Sequence, residues 1–207
     1  MIEIGRRLKD VLFALDVAGT YHQSLGRLQL QKFIYLADTL SLVWEIIAAN
    51  GYQTYKHGPY DPNIQNAVDV LSFRGAVDIA RIRYESDNVI QVNYQISKHG
   101  IGIVKSFHEE LGVSAKYELY GILGHHINLR GWSQLKNLVY SEATFLTEKM
   151  DGLGKPLVLD SLLSNQSFRV LLGFNNLVVD SGGKINKKNL VSIFFRVLDN
   201  YSLIGNQ

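Results

Sequence analysis

LQLQKFIYLADTLSLVWEIIAANGYQTYKHGPYDPNIQNAVDVLSFRGA, residues 28–76, decides the fold. Leu30, Phe33, Ile34, Ala37, Leu40 and Trp44 recur at helical spacing and form a stripe wide enough for a domain centre. The helix they predict runs from about Arg27 towards Ala49 and stops at Asn50-Gly51, a pair suited to a C-terminal cap. Tyr52 to Lys56 alternates aromatic and polar residues, which predicts a short strand. Gly58 precedes a proline, so extended backbone is expected there, and Pro59 fixes a corner. Asp61 is placed to cap the next helix, with Pro62 in its first turn, where a missing N–H costs nothing. Ile64, Ala67, Val68 and Leu71 are that helix's buried stripe, expected to face Leu30, Phe33 and Ile34, and Gly75 ends it.

Working outward, Ile4, Leu8, Val11, Leu12 and Leu15 predict a first amphipathic helix ending near Gly19, with Arg6, Arg7, Lys9 and Asp10 on its wet side. Val77–Tyr84 and Val89–Ile96 alternate around Glu85-Ser86-Asp87-Asn88, a hairpin signal. Ser97 caps a helix reaching about Leu111. Helix, strand, helix and twisted hairpin is the order of a winged-helix domain. Beyond Gly112, Tyr117–Asn128 and Trp132–Tyr140 read as short helices joined at Arg130-Gly131. A looser stretch with Gly152, Gly154 and Pro156 follows. Leu190, Ile193, Phe194, Val197, Leu198 and Tyr201 then mark a helix capped by Asn186. The expected fold is α+β, mainly α: a winged-helix-like domain over residues 1–113 and a helical C-terminal extension over 114–207 packed on it.

Bulk composition narrows the chemistry. The 207 residues contain no cysteine, which excludes disulfides, thiol catalysis and cysteine-ligated zinc. Glu3, Arg6, Arg7 and Asp10 interrupt the first apolar residues, against a signal peptide or anchor. The apolar stretches fall short of the roughly 20 residues a membrane span needs. A cytoplasmic protein is expected. A net charge of +2 implies no nucleic-acid binding by itself.

No catalytic or metal-binding constellation stands out. Gly152-Leu153-Gly154-Lys155 and Ser181-Gly182-Gly183-Lys184 carry Pro156 and Ile185 where a phosphate-binding loop needs Ser or Thr, so both read as turns. His125 and His126 are adjacent and point about 100° apart on a helix, so they cannot share a metal. Asp61 is accounted for as a cap, and Gly-x-Ser-x-Gly does not occur. The expectation is a non-enzyme with no catalytic residue, metal or cofactor.

For nucleic acid, the helix after Asp61 exposes Asn63, Gln65 and Asn66 but also Asp69, and no lysine. Arg81 and Arg83 on the hairpin are answered by Glu85 and Asp87. Candidate non-specific contacts are Arg6, Arg7, Arg27, Arg81 and Arg83, with Lys32 beside them. Phe194 and Phe195 occupy adjacent faces of the last helix, making Phe195 either a second core contact or an interface anchor.

Leu30-Gln31-Lys32-Phe33-Ile34-Tyr35-Leu36-Ala37-Asp38, then Tyr55, Gly58-Pro59-Tyr60 and Ser72-Phe73-Arg74-Gly75-Ala76-Val77, resemble a pattern shared by bacterial conflict-system families. One is the middle component of ABC-three-component systems, which include the Lamassu-type antiphage defences; another is the SocA/Panacea antitoxin domain. The likeness spans about Leu28 to Ser97. Trp132 to Phe145 resembles the tail of middle components, with Ala143 where proline is expected. The antitoxin pattern reads KYGPV after the strand, so the middle component is the nearer likeness. That resemblance implies a non-catalytic adaptor between an SMC- or Rad50-like ATPase and an effector, often a nuclease. The alternatives are an antitoxin that masks a toxin and a winged-helix DNA-binding regulator. Lys32, Tyr60 and Arg74, polar or amphipathic and near the corner, are with Phe195 the candidate partner contacts.

Overall fold

A helix buried on every side organises the chain, whose computed structural model describes residues 2–86, 89–111 and 114–204. The first elements are α1 (Ile2–Thr20), β1 (Leu25–Gly26) and α2 (Arg27–Leu40). Every α2 residue from Leu30 to Leu40 is buried. The expected stripe, including Phe33 and Trp44, lies in the core. A helix enclosed all round must satisfy its polar side chains within the protein. Gln31 does so by clamping Asp61, donating to its carbonyl at 2.8 Å and accepting from its N–H at 3.0 Å.

α2 ends at Leu40, short of the expected Ala49. A 3₁₀ turn (Ser41–Trp44) follows, and Glu45 takes a left-handed conformation at φ 59°. Ile46 N–H then returns to the Ser41 carbonyl and Glu45 N–H to that of Leu42. That is the hydrogen-bond pattern of a Schellman termination, with Glu45 in the place usually taken by glycine.

β2 (Tyr52–Tyr55) and β3 (Gly58–Tyr60) form a small hairpin where a corner was expected. Gly58 sits at φ +107°, and a Cβ there would lie 3.2 Å from Tyr140 Cε1. The position therefore needs glycine on both counts. α3 (Pro62–Phe73) is capped as expected by Asp61, whose carboxylate accepts from Asn63 N–H at 2.9 Å. Ile64, Ala67, Val68 and Leu71 are buried, but α3 lies along α1, not against α2 as expected. The reason is that α1 is itself buried on several faces from Asp10 to Leu15, so it fills the space between.

β4 (Val77–Ser86) and β5 (Val89–Ile96) form the expected hairpin, and β1 completes a sheet of order β1-β5-β4. Asp87 and Asn88 of the expected turn lie outside the described residues, as do the side chains of Ile4 and Tyr201. α4 (Lys98–Leu111) starts at Ser97, whose hydroxyl accepts from Gly100 N–H at 3.0 Å. α5 (Ala115–Arg130) turns at Gly131 into a 3₁₀ turn and α6 (Leu135–Tyr140).

The stretch expected to be loose is structured. It holds α7 (Ala143–Met150), β6 (Pro156–Leu157) and α8 (Gln166–Asp180), before α9 (Lys187–Ile204). β6 pairs with β2, and Thr54 fixes the preceding Gly152–Lys155 turn by donating to the Gly152 carbonyl and accepting from Lys155 N–H. α8 is capped by Asn165, whose amide also donates to the Thr39 carbonyl on α2 at 2.8 Å. The expected domain division follows Val113, which with Gly112 lies outside the described residues. Buried apolar residues from both sides of it, Phe33 and Leu123 among them, belong to one continuous core. No helix among the described residues is long and apolar enough to cross a membrane.

Candidate functional site

Arg7 and Asp10, expected on the wet side of α1, are fully buried. Arg7 Nε donates to Asp61 Oδ2 at 2.8 Å, and its Nη1 lies 3.1 Å from Asp10 and 2.5 Å from Asp38. Its guanidinium rests 4.8 Å from the Tyr52 ring centroid, and Tyr52 OH donates to Asp38 at 3.1 Å. Lys116 on α5 closes the cluster, 2.6 Å from Asp10. Three carboxylates thus share two cations away from solvent. Arg7 is no candidate for phosphate: its fork is spent joining α1 to α2 and to the cap of α3.

The electrostatics of this knot differ from acid to acid. Burial pushes Asp38 up, but Arg7 and then Lys116 more than offset this and hold it below the usual carboxylate range. Asp10 is pushed up by burial and by Asp38, against the pull of Lys116 and Arg7. Burial also lifts the Tyr52 phenol well above its usual range. An open cleft of about 630 Å³ at the end of α1 is lined by other residues, among them Asp16, His22 and Gln95. Among the described residues no group of three His, Asp or Glu is placed to hold a metal ion.

A second node ties the C-terminal part to α2. The Glu142 carboxylate caps α7, accepting from Thr144 N–H at 2.9 Å and Phe145 N–H at 2.7 Å. It also accepts from Tyr35 OH at 2.5 Å and Ser167 OH at 2.6 Å. Phe195, expected as core contact or interface anchor, is a core contact: it is fully buried and stacks on His126 at 4.9 Å. Arg130 lies 4.7 Å from its ring centroid and pairs with Asp199 of α9.

Two surfaces carry the other candidate contacts. On the first, Arg27 donates to Tyr60 OH at 2.6 Å, and Tyr60 lies 5.6 Å from Tyr55, centroid to centroid. Lys32 is buried, not exposed as a contact candidate should be; its ammonium donates to the His57 carbonyl at 2.8 Å. It stands 5.8 Å from the Tyr140 ring centroid, which Lys136 and Lys149 approach to 5.6 Å and 5.3 Å. Burial, helped by Lys136, lowers the Lys32 pKa to about 8. Arg27 and Tyr60 therefore share one surface, and Lys32 is buried next to it. Lys136, Tyr140, Lys149 and Tyr55 belong to it too, and only the spacing of Lys136 and Tyr140 one helical turn apart hints at this in sequence.

The second surface is the β4–β5 hairpin. Its pairs Val77/Ile96, Ile79/Tyr94, Ile82/Val92 and Tyr84/Ile90 fall on one face. A bulge at Ala80 shifts the register by one, so that Ile82 and Tyr84 join Val77 and Ile79 on that side. Arg81 and Arg83 face the other way, exposed, opposite Asn93 and Gln91. Their expected partners, the Glu85 side chain and Asp87, lie outside the described residues. The base of the apolar ladder packs on α1 and α4, whereas Ile79, Ile82 and Ile90 are more than half exposed and Tyr84 is 78% exposed. Arg6 on α1 and Arg74 after α3 are exposed and stand apart from the Tyr140 cluster's charge and ring contacts. A scan against protein-family models gave no match, and comparison with curated proteins gave no significant one.

Proposed function

We propose that the chain is a non-catalytic adaptor subunit that links an SMC- or Rad50-like ATPase to an effector in a cytoplasmic antiphage complex. The observation that carries this reading is the exposed apolar ladder of the β4–β5 hairpin. Isolated exposed apolar residues are ordinary, but a contiguous sheet face of Ile79, Ile82, Tyr84 and Ile90 is the kind of surface a partner subunit covers.

The finer fold reading supports it. The order α1, β1, α2, α3, β4, β5 with sheet order β1-β5-β4 fits a winged-helix-like unit into which the β2–β3 hairpin is inserted. Its third helix presents Asp69, Val70 and Phe73 to solvent, Phe73 being 90% exposed. An acid beside a large apolar ring suits a protein partner better than a phosphate-lined groove. The two segments that resemble the middle components also pack on each other, Tyr35 against Glu142 and Gly58 against Tyr140.

Affinity capture of the tagged chain from cells that encode it tests the reading. Retention of a large coiled-coil ATPase and an effector supports it. Capture of a lone small toxin, or of neither subunit, contradicts it.

A further inference from the structure

We propose that the surface joining the β2–β3 hairpin to α6 and α7 binds the backbone of single-stranded nucleic acid, with the exposed Lys136 and Lys149 beside Tyr140 as its phosphate site. The inference does not depend on the adaptor reading.

Three ammonium groups lie within 5.8 Å of the centre of one ring. Among the described residues the salt bridges engage only Arg7, Lys116 and Arg130, so none of the three lysines has a carboxylate within 4.0 Å. In a chain whose net charge is only +2, such a concentration of unpaired cations is local, and it repels itself. Lys32 shows the consequence: burial and the neighbouring Lys136 destabilise its charged form. A phosphodiester held by Lys136 and Lys149 offsets the repulsion among these charges.

The rings select among anions. From His57, whose carbonyl Lys32 holds, the surface continues to Tyr55, Tyr60 and Arg27, placing two aromatic faces beside a cation. Tyr55 is 52% exposed, so its ring is open to a stacking base. Stacking platforms beside a cationic track are how proteins hold single strands; a duplex keeps its base faces hidden, and an acidic peptide has no use for the rings.

Fluorescence anisotropy with a labelled oligothymidylate of about 16 nucleotides tests the proposal. The arms are a duplex of equal length and a poly-glutamate peptide. The K136E/K149E pair alters two exposed positions, and its melting temperature should match that of the parent. Its slope of log affinity on log salt should fall by roughly 1.4, two contacts at about 0.7 each for single strands. Tyr55→Ala should weaken the single strand about fivefold or more, and K136R/K149R should retain binding. Unchanged affinity in K136E/K149E, indifference to Tyr55→Ala, or tighter binding of the duplex or the peptide would overturn it.

Discussion

Tyr35 on the central helix donates its hydroxyl proton to Glu142 across 107 residues of sequence, at 2.5 Å. The same carboxylate holds the first turn of α7 and the Ser167 hydroxyl of α8. One acid therefore fastens the C-terminal helices to the enclosed α2. Burial and Glu142 also lift the Tyr35 phenol well above its usual range.

Glu142→Ala leaves two buried hydroxyls without an acceptor and removes a cap. It should cost about 3 kcal/mol of stability, and Tyr35→Phe about 1 kcal/mol. Urea denaturation gives both values. A cost for Glu142→Ala within the range of ordinary surface changes, about 0.5 kcal/mol, would show that the node does not bear on stability.

The Arg7 knot makes a prediction about two acids that differ in titration. Asp38 is held below its ordinary range, so its contribution is present above the unfolded pKa and is lost as pH falls through the folded value. Asp10 is shifted the other way; its contribution is fully present below the unfolded pKa and is lost as pH rises through the folded value. At neutral pH Asp38→Asn should therefore destabilise more than Asp10→Asn. Urea midpoints of the two variants decide it, and the reverse order would contradict the assignment. Arg7→Met removes the cation both share and should cost about 3–5 kcal/mol.

How far the sequence discloses this molecule depends on the range of the interactions. The α3 cap and stripe, the β4–β5 alternation and the α9 stripe are local patterns, and each is present where its spacing places it. The end of α2 is not, because Glu45 adopts a conformation that glycine would have announced. α8 escapes notice because Val170, Phe174 and Leu177 stay partly exposed and Gly173 and Asn175-Asn176 interrupt it. The Arg7 knot is set by α1, α2, α5 and the residue before α3 at once, and no spacing rule links them. Lys32 and Lys149 are likewise brought to Tyr140 only by folding.

Lys32 should titrate near pH 8. Its folded pKa lies below the ordinary 10.5, so the unfolded chain binds more protons between the two values and stability rises with pH across that window. NMR of labelled lysine side chains reads the midpoint directly. Lys136→Ala should move it upward, because a neighbouring positive charge is lost. A midpoint near 10.5 in the parent would contradict the desolvated position.

Phe195→Asp puts a charge into the stack of His126, Arg130 and Phe194. Burial of a carboxylate in place of the ring should lower the melting temperature by at least several degrees, or prevent folding. A variant that melts like the parent would return Phe195 to the surface.

The adaptor reading turns on what covers the hairpin. A photo-activatable phenylalanine analogue at Tyr84, on the exposed end of the apolar ladder, reports this in the assembled complex within cells. A crosslink from position 84 to the ATPase or effector subunit is expected, and none from position 83 on the opposite face. Crosslinks from position 83 alone, or none from position 84 while the complex still assembles, would contradict the adaptor reading.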